Sequence, residues 1–498
     1  MAGVPNEDEG RWRLAALVLC GLLIAIPFLA VRFPPITDLP QHLAQIRLLH
    51  EALAAPDGPY RIQWFTPYLL AYVPLAGAWQ VAPGAAAGRV AMLVLAMLWT
   101  LAIHGLAYGR GRPVAAAILA SALFYNHATY WGFYSFAIGW PVFALWFLLT
   151  TRPPAERFRA RDALLYLATA CLLYLSHALW LAAGVAWFVL RSVVARTPLR
   201  AAALQAASFA PVLVLAGIWY PHLSAAGFSS PTRWFVTPTG RLSFSWIVET
   251  TLGGLRGPVE YVLVAALAVW VGLGLYQNRE RLGARLDRDL CLVAALFLAL
   301  ALILPNLHQN TIAFASRWQP VAAIALVLGV PPPAWDRAAR NVAALAVVSV
   351  FVVATTLAWV RFERSEFAGL PESLAALPAN QRVIGLDYVK TSPTIKGRPF
   401  LQGFAYAQVV RGGTLNFSFA DFAPMVVVHR APRTARPWTR GIEWNAEKAT
   451  VSDLAHFDYA IVNADARNHG ALAAAMRELR PVTGQGQWRL YRIEAAGR

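Results

Sequence analysis

Charge is scarce in this chain. Of 498 residues only 14% are Asp, Glu, Lys or Arg, against roughly a quarter in an ordinary soluble domain. Hydrophobic residues make up 58% and there are 19 tryptophans. That balance excludes a soluble globular enzyme and predicts a polytopic α-helical membrane protein. Cysteine is scarce as well. Cys20, Cys171 and Cys291 all lie in apolar runs, which excludes a disulfide framework and a thiolate zinc site. Acids are outnumbered, 26 Asp and Glu against 43 Lys and Arg, for a net charge of +17. The basic residues of the first 360 positions sit mostly in short clusters between apolar runs. They follow the positive-inside pattern and do not form a stripe for nucleic acid.

A membrane span needs about 20 apolar residues. Runs of that order, some shorter, occupy 14–31, 88–108, 113–131, 134–151, 162–177, 179–196, 200–220, 258–276, 289–304, 311–330 and 341–360. About eleven transmembrane helices are expected. The opening MAGVPNEDEGRWR is acidic before it is basic, and no small-residue cleavage site follows the first run, which reads as a retained span. The segment WFTPYLLAYVPLAGAWQV at 64–81 carries Pro67, Pro74 and several interfacial aromatics.

Charge decides its place. Arg11 and Arg13 put the N-terminus in the cytoplasm. If 64–81 does not span, the basic loops 109–112, 152–162, 191–200, 277–289 and 336–340 all fall inside; if it spans, all fall outside. The segment is therefore expected to be a juxtamembrane or half-inserted helix. Residues 1–360 then form the membrane domain, with outer loops at 32–87 and 221–257. Residues 361–498 form a soluble domain on the outer side, periplasmic in a bacterium. There QRVIGLDYV, MVVVHR, FDYAIVNAD and WRLYRIE read as strands and GALAAAMRELR as a helix, a small α/β or α+β domain. It has no Gly-rich phosphate loop, no GxSxG elbow and no metal-spaced Cys/His set.

Orientation sorts the polar residues. His42, His127, His177, His222 and His308 all approach the outer face, with Arg61, Arg233, Arg241, Arg256 and Arg317; His104 lies toward the other side. Ionisable residues at membrane depth are costly, and a functional cavity is their default reading, although histidines and aromatics also populate interfacial belts. Outer carboxylates are few: Asp38, Glu51, Asp57, Glu249 and Glu260. Asp38 directly follows the first span, in PPITDLPQHLAQIRLLHEAL. As a helix start, Asp38-Leu39-Pro40-Gln41 reads as an N-cap with a capping-box glutamine. As a site, Asp38, His42 and Gln45 share one helix face at i, i+4 and i+7, presenting a carboxylate and an imidazole to a cavity over the bundle.

A first span, an outward loop opening on ITDLPQH, a surface helix, a polytopic body and a small outward C-terminal domain resemble the GT-C glycosyltransferases. Within that superfamily the chain resembles bacterial enzymes of the 4-amino-4-deoxy-L-arabinose transferase and protein O-mannosyltransferase type. The resemblance implies an inverting transferase that takes a sugar from a polyprenyl-phosphate donor to a lipid, glycan or protein acceptor at the outer face of the bacterial inner membrane. Asp38 matches the family's outward-loop aspartate and would be the general base, with His42 orienting it or binding phosphate. Arg317 in SRWQP is the first choice for the lipid phosphate, since its fork matches phosphate geometry. His127, His177, His308, Arg61, Arg233 and Glu249 complete the candidate substrate-binding set, and Arg241 and Arg256 are weaker choices. Two departures stand out. The family's acidic pair is reduced to one carboxylate, which argues against a bound divalent metal, though His42 and His127 leave room for a softer one. The basic segment that often precedes the next helix is missing, with Arg61 the nearest substitute. A transporter or flippase for a lipid-linked saccharide and an O-antigen polymerase or ligase are the competing readings. The first would place its site at the midplane; the second would use a large late outer loop, which 223–257 partly provides.

Overall fold

The computed structural model describes residues 7–152, 158–225, 231–309, 311–431 and 436–494; the side chain of His222 lies outside this set. Among the described residues, five helices are long and apolar enough to cross a membrane: Gly10–Ala30, Ala86–Gly109, Leu199–Pro221, Val259–Gln277 and Arg337–Glu366. The other apolar runs form shorter helices. The expected span at 113–131 breaks into α5 (Val114–Ser121), a 3-10 turn and α6 (His127–Trp131), because Asn126 turns the chain and its side chain accepts from Thr129 N–H to start α6. The run 311–330 likewise keeps only Gln319–Gly329 as α-helix.

The first part of the chain builds the end of the bundle that matters here. Helix α1 (Glu7–Ala30) stops before Pro34 and Pro35, whose missing N–H groups cannot continue a helix. Helix α2 (Leu39–Ala54) follows at once, and α3 (Leu69–Val81) holds the doubtful segment. At 13 residues α3 is about 20 Å long, short of the hydrocarbon core. Helix α4 (Ala86–Gly109) packs on α1 and on α7 (Tyr134–Thr150). At the opposite end, Arg110 bridges Asp287 and Asp289 at 2.7 and 2.9 Å, and Arg191 forms an ion pair with Asp289 at 2.8 Å.

Among the described residues there are nine short strands: β1 (Tyr60–Ile62), β2 (Leu307–His308), β3 (Thr311–Ile312), β4 (Arg382–Asp387), β5 (Thr414–Leu415), β6 (Val427–His429), β7 (Tyr459–Asn463), β8 (Leu479–Pro481) and β9 (Trp488–Ile493). The C-terminal sheet has order β5-β4-β7-β9-β8, parallel on the β5-β4-β7 side and antiparallel beyond it. MVVVHR forms the expected strand, but β6 lies outside that sheet and pairs antiparallel with β1, joining the domain to the first loop. One expectation needs correction. The predicted helix GALAAAMRELR ends at Ala475, and its tail supplies β8.

Helix α2 is the dock for this domain. Gln45 is 1% exposed and pairs with Val427 as a strand would, its Nε2 donating to the carbonyl and its Oε1 accepting from the N–H, both at 3.0 Å. Gln41 donates to Gln402 Oε1 at 2.9 Å and accepts from Phe419 N–H at 3.1 Å. Gln63 and Thr66 bond the carbonyls of Ala423, Pro424 and Met425. Replacing Gln45 by Ala strands two buried backbone groups, each worth about 1–3 kcal/mol when unsatisfied. Gln45→Ala is expected to lower the apparent melting temperature in detergent and to expose the C-terminal domain to limited proteolysis. Unchanged melting and protection would show that this pairing is not what fixes the domain.

Candidate active site

Between the bundle and the C-terminal domain lies a cavity of about 1240 Å³. Asp38 stands in its wall, held by main chain alone. Thr37 N–H donates to the Tyr130 carbonyl at 3.0 Å and Asp38 N–H to the Trp131 carbonyl at 3.1 Å. The approach is close because Gly132 has φ +78° and no Cβ; one built there would lie 2.7 Å from Asp38 N.

The expected cap is not made. Asp38 precedes α2 but its side chain takes no capping bond, and Gln41 is spent on the C-terminal domain. Asp38 has αR backbone angles where a side-chain cap wants an extended residue, and its N–H is already committed to Trp131. The half-buried carboxyl is thus left for the cavity. Burial raises it to about 8, against the opposing charge of Arg317.

Arg317 comes from a 3-10 turn (Ser316–Trp318) that leads into the helix Gln319–Gly329. Its Nε and Nη2 donate to the Ile312 carbonyl at 3.2 and 2.9 Å, and its guanidinium carbon sits 3.7 Å from the centre of the Phe133 ring. No carboxylate forms an ion pair with it among the described residues, and Nη1 has no protein acceptor there.

His42 lines the same cavity but is tied down. Nδ1 lies 2.9 Å from Tyr72 Oη and Nε2 3.1 Å from the Gly132 carbonyl. The carbonyl can only accept, so Nε2 carries the proton and Nδ1 accepts from Tyr72. Burial lowers this imidazole to about 4, which keeps it neutral. The shared face of Asp38, His42 and Gln45 is therefore divided: Asp38 faces substrate space, His42 braces Gly132, and Gln45 holds β6. His177 and Arg61 also line the cavity; His177 Nδ1 accepts from Leu179 N–H at 3.2 Å, capping the next helix.

The remaining candidates stand elsewhere. His127, His308, Arg233 and Glu249 are not in the cavity wall. His308 bonds Thr232, Arg233 pairs its backbone with Leu307, and Glu249 faces Lys396 at 3.7 Å. Arg241, fully buried, donates to the carbonyls of Ala301, Leu302 and Leu304, closing the C-terminal end of a helix. Arg256 holds the Ser392 carbonyl at 2.6 Å. His42 has both ring nitrogens engaged and His127 lies outside the cavity, so this pair is not arranged to share a metal. No cluster of three or more His, Cys, Asp or Glu side chains with metal-binding geometry occurs among the described residues.

The C-terminal domain was expected to cover the cavity or bind acceptor, but the residues of the facing wall were not singled out. That wall is made by the C-terminal domain, with Gln402, Phe417, Phe419, Asp421, His429 and Arg436. Asp421 accepts from Arg436 Nη2 at 2.6 Å and Ser418 N–H at 3.0 Å, with His429 Nε2 at 3.4 Å. Burial alone would push this carboxyl up, but those partners hold it below the ordinary range. The available signal was NFSFADFAP, one acid set among phenylalanines in an otherwise polar domain.

A helical membrane body, a first loop carrying Asp38 and a C-terminal domain that closes over the cavity make up this architecture. Two solved structures of ArnT from Cupriavidus metallidurans share the fold. The apo form matches at TM-score 0.51 and 11% identity over 97% of this chain and 98% of that one. The form bound to undecaprenyl phosphate matches at 0.53 and 12% over 96% and 97%. No protein-family model and no curated protein matches the chain.

The raised carboxyl has a stability signature. A group whose folded value exceeds its unfolded one contributes fully below the unfolded value, and that contribution is lost as pH climbs to the folded value. For Asp38 the window runs from about pH 4 to about pH 8. Asp38→Asn is expected to melt several degrees above the parent protein at pH 9, with the gap closing near pH 4. A gap that is flat with pH would mean that Asp38 is ionised without penalty.

Proposed function

We propose that the protein is an inverting glycosyltransferase moving a sugar from a polyprenyl-phosphate donor to a lipid, glycan or protein acceptor, with Asp38 as general base. The observation that carries this reading is the release of the Asp38 carboxyl from its capping role into a cavity it shares with Arg317. The fold shared with ArnT, one of whose structures holds undecaprenyl phosphate, supports the donor class.

The chemistry follows from those two groups. The acceptor hydroxyl or amine attacks the anomeric carbon while its proton passes to Asp38. The bond from that carbon to the phosphate oxygen breaks, and polyprenyl phosphate leaves with the electron pair. A single displacement inverts the centre. A carboxyl near 8 suits the proton transfer, because a base works best with a value close to the working pH. Arg317, already oriented by Ile312 and Phe133, has Nη1 to offer the phosphate as charge develops. Arg61 and Arg440 line the same space, while the charge of Arg436 there is matched by Asp421. The cavity that holds Asp38 and Arg317 lies at one end of the bundle, under the C-terminal domain, which favours transfer over transport through a midplane site. The bundle end bearing the cavity is assigned to the periplasm of a bacterial inner membrane, on the strength of the basic loops at the other end.

The test is transfer in vitro from extracted polyprenyl-phosphate sugars. Asp38→Asn is expected to lower kcat by about 10²–10⁴-fold, and full activity in that variant would overturn the mechanism. In the parent protein kcat/KM should rise with pH up to about 8 as Asp38 ionises. Arg317→Gln is expected to cost about 10²–10³-fold, chiefly in kcat, because the charge it meets develops in the transition state. Orientation has a separate check: a C-terminal fusion to a reporter active only outside the cytoplasm should be active.

A further inference from the structure

The far end of the bundle holds a second cavity. Helices α1 and α4, 24 residues each, run about 36 Å from the active-site end. Where they finish is a pocket of about 490 Å³ with Arg13, Arg112, Arg285, Arg337 and Arg340 in its wall and no acidic residue. These arginines have different duties. Arg112 is a strut, donating to the carbonyls of Leu328, Gly329 and Val330. Arg285 bonds Asn278. Arg337 and Arg340, three residues apart on the first turn of the helix Arg337–Glu366, have neither a side-chain hydrogen bond nor an ion pair among the described residues.

Among the described residues no acid at this end pairs with Arg337 or Arg340. Asp287 and Asp289 are taken by Arg110 and Arg191, and Asp336 accepts from Ala339 N–H as a helix cap. Converging guanidinium groups repel one another unless an anion joins them, and their planar forks match phosphate oxygens. The rim adds a second requirement. Trp12, Leu14 and Val342, each next to or close to a pocket arginine in sequence, are 65%, 62% and 66% exposed. They stand at the ends of two helices long enough to cross the membrane, so the pocket opens beside lipid-facing surface along which acyl chains can lie. Basic pockets between transmembrane helices are a recurring site for anionic headgroups.

We propose that this pocket binds the phosphate headgroup of an anionic phospholipid from the leaflet on that side, independently of the transferase reading. The test uses the full-length, delipidated protein in neutral detergent, titrated with cardiolipin, phosphatidylglycerol, phosphatidylcholine or inorganic phosphate while melting and lipid retention in native mass spectrometry are followed. The two anionic lipids are expected to raise the melting temperature and stay bound. Phosphatidylcholine and inorganic phosphate should act at least ten-fold more weakly. Arg337→Gln with Arg340→Gln should weaken the anionic lipids about ten-fold or more, while Arg361→Gln with Arg364→Gln, the same charge change at the other end of that helix, should not. Inorganic phosphate matching the lipids would overturn the lipid assignment, leaving a plain anion site. Equal effects of phosphatidylcholine, or equal losses in both double variants, would overturn the pocket itself.

Discussion

A base at a membrane surface faces a conflict: the residue must be held in place, yet its side chain must stay free. Here the main chain does the holding. Thr37 and Asp38 donate to successive carbonyls of Tyr130 and Trp131, and Gly132 allows the two segments to touch. The N-cap position that would ordinarily consume an aspartate oxygen is occupied in name only. Everything else around the cavity follows from that choice. Gly132 has to be glycine, its carbonyl needs a donor, and His42 provides one. The neutral ring of His42 in turn needs Tyr72 on its other nitrogen. A chain of neutral hydrogen bonds thus supports one titratable group.

The second wall depends on a different device. Two neighbouring turns of α2 place Gln41 and Gln45 against the backbone of the C-terminal domain, where each amide both donates and accepts. Amide side chains suit this better than charged ones, because a buried charge would shift or demand a counter-ion. Asp421 shows the alternative. It is buried and ionised, and it takes an arginine, a backbone N–H and a histidine to keep it so. One wall keeps its carboxyl unpaired by an arginine and raised; the other pairs its carboxyl and holds it low. That contrast supports the base role proposed for Asp38 and a scaffolding role for Asp421.

Hydropathy made the membrane body legible, and charge in the loops made α3 legible as a short element. Neither shows where an apolar run breaks, so 113–131 and 311–330 read as spans although Asn126 and the segment before Gln319 interrupt them. At the site, Asp38 was legible because carboxylates are rare on that face, and Arg317 because it ends a late apolar run. The other candidates show what spacing lacks. Arg241 and Arg256 resemble ligand-binding arginines in sequence, yet carbonyls hundreds of atoms along the chain, or far along the fold, claim their donors. His127 and His308 share an outer level with Asp38 but lie outside the cavity. Gln45 shares a helix face with Asp38, but faces are defined by neighbours, and β6 arrives from nearly four hundred residues away. Long-range pairing of this kind leaves no local trace.

The pairing of β1 with β6 has a consequence for biosynthesis. Tyr60 meets His429, and Gln45 meets Val427, so the first loop leaves the ribosome long before its partner exists. At 5–20 residues per second the wait is roughly 20–70 s. During that interval α2 carries amides aimed at nothing and an apolar flank that the finished domain will cover. The cavity around Asp38 lacks its second wall throughout, because Gln402, Phe417, Phe419 and Asp421 are made only in the last third of the chain. Nascent chains halted before β6 would therefore hold Asp38 in a half-built cavity.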